Sequence, residues 1–371
     1  MQFTVVVPTY NRRPALELVL RAYECQEPPD LSFEMVVVND GSTDDTADFL
    51  AAWRPRRYTL RFATQRQSGP SEARNLGLSM ARGDLVLLIG DDIEPAPDFL
   101  AQHWQGHLEQ ADRGAAILGL TRWAPTLEVT ATMRHIVGPG AQQFSYHYFV
   151  DGTEYDFRHL YTSNISLRRA LLERESECFS SSLSGRIYAY EDTELAYRLA
   201  DHGLRIVYRA AALSHHHHPY EVRGFFRRQQ RVGEAAAVLY DMLPQLKKWL
   251  DVRELDWRRL RLLGADPSLE RRLAVLLEEL PEWEERALRF ASFFDPVDPE
   301  GVDDLLWPLF RYPFLKGLAS RLFEPRVAGR LCAAEFLRLI PPSVVHFEAR
   351  MAARGLPVPR ADEAAFRALL A

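Results

Sequence analysis

The sequence predicts an α/β protein in which a doubly wound, mostly parallel sheet is followed by a helical C-terminal extension. Short β-rich apolar runs alternate with amphipathic helical stretches through the first half of the chain. From about residue 235 the strand signals fade, and Leu/Arg/Glu-rich helical patterns dominate. At about 150 residues per domain, 371 residues suggest two domains. We expect the boundaries 1–235 and 236–371.

The elements of the first half follow from local patterns. Four apolar runs predict strands: Phe3–Val7, Glu34–Val38, Leu60–Phe62 and Leu85–Ile89. Asn11 is expected to cap a first helix that carries Pro14 in its first turn. Ser42–Asp45 resembles a capping box that opens a second helix, and 71–80 predicts a third.

The later elements are less regular. Tyr161–Leu167 and Arg205–Tyr208 predict further strands, and Asp192–His202 predicts a helix. Residues 125–160 suggest a long loop over a site. Prolines interrupt the C-terminal helical patterns, at Pro244, Pro267, Pro281, Pro296 and Pro341.

Composition excludes some functions. A formal net charge of −6 gives no global basic field for nucleic acid. The three cysteines (Cys25, Cys178 and Cys332) have neither metal-ligand nor redox spacing, and we expect a reducing cytoplasm. We expect no signal peptide, and no run approaches the ~18 apolar residues of a membrane helix. The chain is expected to be cytoplasmic, or peripheral at the inner face of the membrane.

Polar clusters follow three predicted strands: Thr9-Tyr10-Asn11, Asn39-Asp40-Gly41-Ser42 and Gly90-Asp91-Asp92. Ligands of doubly wound sheets bind beyond the carboxyl ends of the strands. The three clusters therefore predict one ligand site.

Several segments together resemble the family-2 glycosyltransferases with the GT-A fold, a Rossmann-like doubly wound architecture. They are residues 5–12, 36–44, 69–77, 83–92, 97–100, 162–169 and 191–195. Each segment alone is a weak signal, but their order and spacing are specific. The resemblance covers about residues 3–235.

The resemblance implies a nucleotide-sugar donor, UDP-, GDP- or dTDP-linked. Its binding residues would be Pro8, Thr9, Tyr10, Asn11, Asp40, Gly69, Arg74 and Asp91. A helix N-terminus after the first strand can hold phosphate, although Thr9 and Asn11 also fit a turn and cap. Asp40 would contact the nucleobase, or form an Asx-turn into Gly41. Arg74 would bind the diphosphate, or form a surface ion pair.

Asp91 and Asp92 repel each other unless a cation lies between them, and Mg²⁺ or Mn²⁺ prefers oxygen ligands. The resembled family usually has Asp-x-Asp here, but this chain has Gly90 in the first place. We assign Asp92 to the metal and Asp91 to the ribose or an outer role. The resemblance adds a histidine, for which we choose His217.

His217 belongs to a run of four histidines, His215–His218. Because strand residues alternate in direction, at most two of them face one site, and His215 shares the parity of His217. The run could instead bind a separate transition metal.

An inverting transfer needs a base that deprotonates the acceptor hydroxyl. By resemblance that base is Asp192, with Glu191 beside it, whereas Glu194 is expected to be structural. Acidic residues also favour the first turn of a helix as partners of its dipole. The acceptor would be a glycan, a polysaccharide or a lipid-linked sugar, and a retaining mechanism stays open.

Two other functions are alternatives to sugar transfer. Gly90 in the acidic triplet favours a non-catalytic nucleotide-sugar-binding protein that keeps the GT-A fold. A sugar nucleotidyltransferase would have a glycine-rich loop after the first strand, but Pro8–Arg12 contains no glycine.

Two C-terminal stretches have two interpretations each. Arg223–Arg231 could meet phosphates or anionic lipid, or be a solvated helix face. Asp304–Phe323 could lie at a membrane surface, but Pro308 and Pro313 are expected to break that helix and favour a packed core. The oligomeric state, the sugar, the nucleobase and the acceptor are left open.

Overall fold

The computed structural model describes residues 1–27, 30–110, 114–250, 252, 267–356 and 366. The chain divides into two compact units. The first unit comprises residues 1–128, 148–186 and 191–218. The second comprises residues 129–147, 187–190 and 219–371.

The first unit contains one sheet. Its strands are β1 (Phe3–Thr9), β2 (Phe33–Asn39), β3 (Thr59–Thr64), β4 (Leu85–Ile89), β5 (Ile93–Pro95), β6 (Ala115–Trp123), β7 (Glu154–Tyr155), β8 (Asn164–Arg168) and β9 (Arg205–His216). The strand order is β3-β2-β1-β4-β8-β6-β9-β5, and β7 pairs with β9.

The helices of the described chain are α1 (Arg13–Glu24), α2 (Thr46–Ala52), α3 (Pro70–Met80), α4 (Phe99–Glu109), α5 (Ala131–Val137), α6 (Arg169–Leu172), α7 (Glu191–Ala200), α8 (Val222–Met242), α9 (Pro267–Phe294), α10 (Asp303–Leu322) and α11 (Pro325–Ala353). Short 3-10 turns occur at Tyr146–Tyr148, Phe157–His159 and Pro244–Lys248. Helices α5 and α8–α11 belong to the second unit.

Helices cover both faces of the sheet, as the predicted doubly wound class requires. On one face, apolar side chains of α1, among them Leu16, Val19 and Tyr23, are buried in one core cluster with β1 and β2. On the other face, Ala73 of α3 packs in a smaller cluster with residues of β2. Gly77 permits this approach, because a Cβ there would lie 2.5 Å from a methyl carbon of Val6.

The direction of the strands differs from a purely parallel sheet. The four strands β1–β4 pair parallel, as predicted. Strand β8 is antiparallel to both of its neighbours, β4 and β6. The sheet is therefore mixed, which apolar runs cannot reveal because they carry no information on strand direction.

The second unit corrects the predicted effect of the C-terminal prolines. Pro281, Pro308, Pro313 and Pro341 all lie inside continuous helices. A proline removes one helical hydrogen bond and bends the helix, but dense packing can offset that cost. Helix α10 is buried along most of its length, so its packed-core interpretation stands although its prolines do not break it. No described helix is long and apolar enough to cross a membrane.

The basic stretch 223–231 lies within α8. Arg223 forms two hydrogen bonds with Glu285, at 2.6 and 2.7 Å, and the Arg231 guanidinium lies 3.6 Å from the ring centroid of Tyr188. Phe225 and Phe226 are buried. Arg223 and Arg231 of this stretch therefore have protein partners, and its two phenylalanines belong to the core.

Two sequence expectations about segments can be compared with the structure. Residue 235 lies inside α8, and the compact units meet in the chain at 218 and 219. The stretch 125–160 is more ordered than a loop, since it contains α5, β7 and two 3-10 turns. The domain bounds 1–235 and 236–371 stay a prediction, and residues 253–266 lie outside the described chain.

Candidate active site

The loop after β1 is tied to its neighbours by side-chain hydrogen bonds. The Thr9 hydroxyl donates to Asp91 Oδ2 at 2.8 Å. Asn11 adopts a left-handed φ of 52°, and its Oδ1 accepts from the backbone N–H of Thr43 at 2.7 Å and of Asp44 at 3.3 Å. Asn11 is therefore not the cap of α1 that the sequence predicted, because its side chain is used by the loop after β2.

Asp40 organises the loop before α3. Its carboxylate, buried at 5% exposure, accepts from Gln65 Nε2 at 2.7 Å and from the backbone N–H of Ser68 and Gly69 at 2.8 Å each. The Asx-type turn belongs to Asn39 instead, whose Oδ1 accepts from a backbone N–H three residues on. Gly69 precedes α3 with a φ of +94°. This left-handed conformation explains the need for glycine.

The acidic pair after β4 is neutralised by an arginine. Arg12 Nη1 lies 2.5 Å from Asp92 Oδ2 and 3.3 Å from Asp91 Oδ1. Burial, and then the charge of Asp92, raises the pKa of Asp91 to about 6. Burial also opposes the ionisation of Asp92, but His216, Arg12 and His218 together hold its pKa well below the usual range.

Two histidines after β9 lie beside this pair. His216 Nε2 is 3.4 Å from Asp92 Oδ2, and His218 Nδ1 is 3.2 Å from an Arg12 nitrogen. The two imidazole rings lie 6.0 Å apart, and the His216 ring stacks on Trp123 at 5.3 Å. Carboxylates, imidazoles and a guanidinium thus meet at one point of the first unit.

The structure places His217, our chosen histidine, elsewhere. Its Nε2 lies 2.7 Å from Glu94 Oε2, on the other parity from His216. The strand carries a bulge, since consecutive residues of β6 pair with Arg209 and Leu213. Three extra residues reverse the alternation, so the side of each histidine could not be counted from the predicted strand.

No group of three or more metal-ligating side chains (His, Cys, Asp or Glu) is arranged to hold an ion within the part of the chain that the structure describes. The four histidines do not converge on a separate metal site, because His216 and His217 have different partners. At Gly90, an added Cβ would lie 2.8 Å from Asp92 Oδ1. Glycine therefore leaves room for the present position of the Asp92 carboxylate.

Asp192 stands in the first turn of α7. Its Oδ1 accepts from the backbone N–H of Thr193 at 2.7 Å. Burial, followed by the charge of Glu191, raises the pKa of Asp192 to about 7. Arg74 lies 3.3 Å from Glu191 Oε1 and sits over the ring of Phe179. Arg74 is thus part of a largely buried ion pair, and its predicted contact with diphosphate stays a prediction.

Three further residues were named from the sequence. Pro8 lies in β1 and pairs with Val38. Tyr10 is exposed, at 38%, at the end of the strand. Glu194 is buried and bonded to Arg198 at 2.8 and 3.0 Å, as expected of a structural residue.

Comparison with known proteins gives a match for the N-terminal part of the chain. Residues 4–174 match the family model described as Glycosyl transferase family 2. The matched segment is just under half of the chain and is similar to this family of glycosyltransferases. Asp192 and the histidines at 216–218 follow the matched segment in the chain.

Two curated relatives match part of the chain. A poly(ribitol-phosphate) beta-N-acetylglucosaminyltransferase, TarS, of Staphylococcus aureus is 32% identical over 112 residues, which is 28% of this chain and 19% of the relative. An undecaprenyl-phosphate 4-deoxy-4-formamido-L-arabinose transferase of Edwardsiella ictaluri is 31% identical over 122 residues, 32% of this chain and 36% of the relative. The chain therefore matches only about a fifth to a third of the length of these relatives.

Solved structures show that the fold is GT-A. TarS residues 1–349 of S. aureus, in complex with UDP, superpose with a TM-score of 0.50 at 20% identity, covering 91% of this chain and 92% of that one. The mannosyltransferase PcManGT of Pyrobaculum calidifontis, in complex with GDP-Man and Mn²⁺, gives 0.50 at 20% identity, covering 92% and 81%. The predicted fold class is confirmed.

Sequence reasoning on this site missed Arg12, His216 and His218. Arg12 directly follows the Pro8–Asn11 cluster, so its position after a strand end was the available signal. The alternation rule did predict that two histidines share one side, but it could not identify which two.

Proposed function

We propose that this chain transfers a sugar from a nucleoside-diphosphate sugar to a hydroxyl group of a glycan, polysaccharide or lipid-linked acceptor, with inversion. The observation that carries the proposal is the Asp192 carboxyl group, whose pKa is raised to about 7 by burial and by Glu191. A general base is most effective when its pKa lies near the pH at which the enzyme works. The ligands named with the similar solved structures support a UDP- or GDP-linked donor, and a dTDP-linked donor stays a prediction.

In the proposed reaction, Asp192 takes the proton of the acceptor hydroxyl as its oxygen bonds to the anomeric carbon. The bond from that carbon to the nucleoside diphosphate breaks, and the diphosphate leaves with the bonding electrons. Arg74 pairs with Glu191, and the two charges act on Asp192 in opposite directions: Glu191 raises the pKa of Asp192 and Arg74 lowers it. The ion pair thereby helps to set the pKa of the base.

The donor would lie at the strand ends of the first unit. We assign the nucleoside to the region of Tyr10 and of the loop that Asp40 holds at Gly69, and the ribose to Asp91. Because the Asp40 carboxylate already accepts three hydrogen bonds, it has little capacity left for a nucleobase. Its further role is to fix the loop before α3.

A divalent cation fits the chemistry of the acidic pair. Carboxylate oxygens suit Mn²⁺ or Mg²⁺, and Arg12 already places a positive charge against both carboxylates. We propose Asp92 as the principal ligand, with His216 and Asp91 beside it, in place of His217. When bound, the ion neutralises charge on the leaving diphosphate. Binding requires Arg12 to withdraw from Asp92.

Asp192→Asn tests the assignment of the base. We expect sugar transfer to fall by at least about 10²-fold, the usual contribution of general-base catalysis. Nucleotide binding should be kept, and it is measured as the rise in melting temperature with UDP-, GDP- and dTDP-linked sugars, with and without Mn²⁺. Asp201→Asn, the same change just after α7, is the matched control. Unchanged turnover in Asp192→Asn would contradict the role.

A non-catalytic nucleotide-sugar-binding protein remains the second candidate, and Gly90 is the observation that favours it. The two candidates differ in donor hydrolysis, because an active enzyme releases sugar slowly to water. Metal-dependent hydrolysis of a bound donor supports the transferase. Binding without hydrolysis or transfer supports the second candidate. A cytoplasmic or membrane-peripheral location stays a prediction, and the oligomeric state is open.

A further inference from the structure

The second unit contains a cavity of about 330 Å³ between α8, α10 and the turn after α5. Its lining includes Gln142, Tyr190, Gln229, Trp307 and Arg311. The volume is at the lower end of the range of about 300–1,000 Å³ for small-molecule sites. The cavity therefore has room for a ligand of about the size of one sugar ring.

We infer that this cavity binds a saccharide unit of the acceptor. The inference rests on the proposed glycosyl transfer and adds to it the place where the acceptor is held. Three features of the lining carry it, namely two glutamines with one buried, unpartnered amide atom each among the described residues, an exposed indole ring and the position of Tyr190 in the chain.

The two amide groups are set for a hydroxyl ligand. Gln229 is only 4% exposed, and its Nε2 is buried without a hydrogen-bond partner in the part of the chain that the structure describes. The same holds for the buried Oε1 of Gln142. Buried polar atoms are nearly always hydrogen-bonded, so each of these atoms calls for a partner that the described residues do not supply. A sugar hydroxyl both donates and accepts, and thus satisfies an amide nitrogen and an amide oxygen.

The apolar part of the cavity comes from α10. Trp307 is 46% exposed although it is a large aromatic residue. Phe310, Arg311 and Phe314 follow at helical spacings of three, four and seven residues, and all line the same cavity. An apolar aromatic wall with a few fixed polar groups matches the two surfaces of a pyranose ring, its C–H face and its rim of hydroxyls.

The chain connects this cavity to the proposed base. Tyr190 lines the cavity and precedes Asp192 by two residues. It adopts a φ of 71°, which is rare for a residue with a bulky side chain. Such strain persists where the surroundings impose it, often at functional sites. A saccharide held against Tyr190 would be held by the segment that leads directly into the first turn of α7.

The test uses the full-length chain and ligand-observed NMR by saturation transfer. The probes are the methyl β-glycosides of glucose, galactose and N-acetylglucosamine. Trp307→Ala removes the aromatic wall, and Gln229→Leu removes the buried amide at nearly constant volume. Phe293→Ala is the control, because Phe293 is 44% exposed on α9 and does not line the cavity.

We expect at least one glycoside to bind the natural chain, with a Kd raised at least about tenfold in Trp307→Ala and in Gln229→Leu, and unchanged in Phe293→Ala. Gln229→Leu should also keep or raise the melting temperature, because it removes a buried donor without a partner in the described structure. A purely structural role of Gln229 predicts the opposite, a lower melting temperature.

Two results would overturn the inference. One is the absence of a signal with all three glycosides, and the other is equal affinity in the natural chain and both cavity variants. The proposed function is judged separately, by the rise in melting temperature with nucleotide sugars. A nucleotide shift without glycoside binding removes the acceptor cavity and leaves the transferase. Glycoside binding without any nucleotide shift removes the transferase and leaves a saccharide site.

Discussion

The Asp192 carboxyl group is protonated at a pH at which ordinary aspartates are ionised, because its pKa is raised to about 7. The unfolded chain loses this proton near pH 4. Between about pH 4 and pH 7 the folded state therefore binds more protons, and the free energy of unfolding falls as pH rises. Asp192→Asn should consequently raise the melting temperature at pH 8 and leave it nearly unchanged at pH 4. Melting curves at the two pH values measure this, and an equal effect at both would refute the raised pKa.

The Arg12 guanidinium lies against both Asp91 and Asp92, where we propose that a divalent cation binds. Arg12→Ala leaves two adjacent carboxylates without that charge, so Mn²⁺ should bind more tightly and raise the melting temperature more than in the natural chain. Arg13→Ala is the matched control, since Arg13 pairs with Glu17 at 2.9 Å. The measurement is thermal unfolding over a Mn²⁺ titration. If Mn²⁺ raises the melting temperature equally in the natural chain, Arg12→Ala and Arg13→Ala, then Arg12 and Mn²⁺ do not compete for one position.

At the scale of single residues, the sequence indicated candidate residues but not their partners. Asp91 and Asp92 are predicted from their position at a strand end, and Asp192 from the resemblance to a family, and their roles stay predictions. The ion pair of Arg74 with Glu191 was foreseen only as an alternative, because it joins residues 117 positions apart. Local patterns cannot show such a contact.

Helices α8 and α10 approach each other through two glycines. A Cβ at Gly233 would meet the backbone of Phe314, and a Cβ at Gly317 would meet the backbone of Gln230. Gly233→Ala and Gly317→Ala should each destabilise the chain by at least about 1–3 kcal/mol, since backbone cannot give way as a side chain can. The measurement is chemical denaturation followed by circular dichroism.

Gly224 provides the control for this packing. It lies on α8 as well, but no described atom is within 4 Å of its hypothetical Cβ. Alanine is the better helix former by about 1 kcal/mol, so Gly224→Ala should be neutral or stabilising. Equal losses at Gly224 and Gly233 would show that close packing is not the cause.

At the scale of elements, long periodic runs were predictable and short ones were not. The strands β1–β4 fall where apolar runs placed them. The strands β5 and β7 have three and two residues, which is too short for a recognisable alternation of apolar and polar side chains. The prolines misled because their effect on a helix depends on the surrounding packing, which local sequence does not contain.

For the whole molecule, the two units interleave along the chain. The chain passes between them after residues 128, 147, 186, 190 and 218. Within the second unit, Thr132 donates its backbone N–H to Asp295 Oδ1 at 2.7 Å, and His135 Nδ1 lies 2.6 Å from Asp303 Oδ1. The early segment 129–147 therefore depends on helices near the end of the chain.

The sequence-based boundary implies that residues 1–235 fold on their own. We expect instead that a chain shortened to these residues fails to fold. It loses α9, α10 and α11, which leaves the buried side chains of α5 uncovered. We expect no cooperative thermal transition, or one lowered well below that of the full chain, measured by circular dichroism. A chain ending at residue 356 keeps these helices and serves as control. Cooperative folding of 1–235 would restore the boundary at 235.

The hydrogen bond between His135 and Asp303 can form only late in protein synthesis, because 168 positions separate the two residues. A ribosome adding about 5–20 residues per second needs roughly 10 to 30 s to cover that distance. Met133 and Ile136 are buried in the folded protein. During this interval the C-terminal helices of the second unit have not yet been synthesised. The nascent chain is thus open to chaperones and to aggregation for longer than its sheet would require. Slower growth at low temperature, or added chaperones, should improve the yield of native protein.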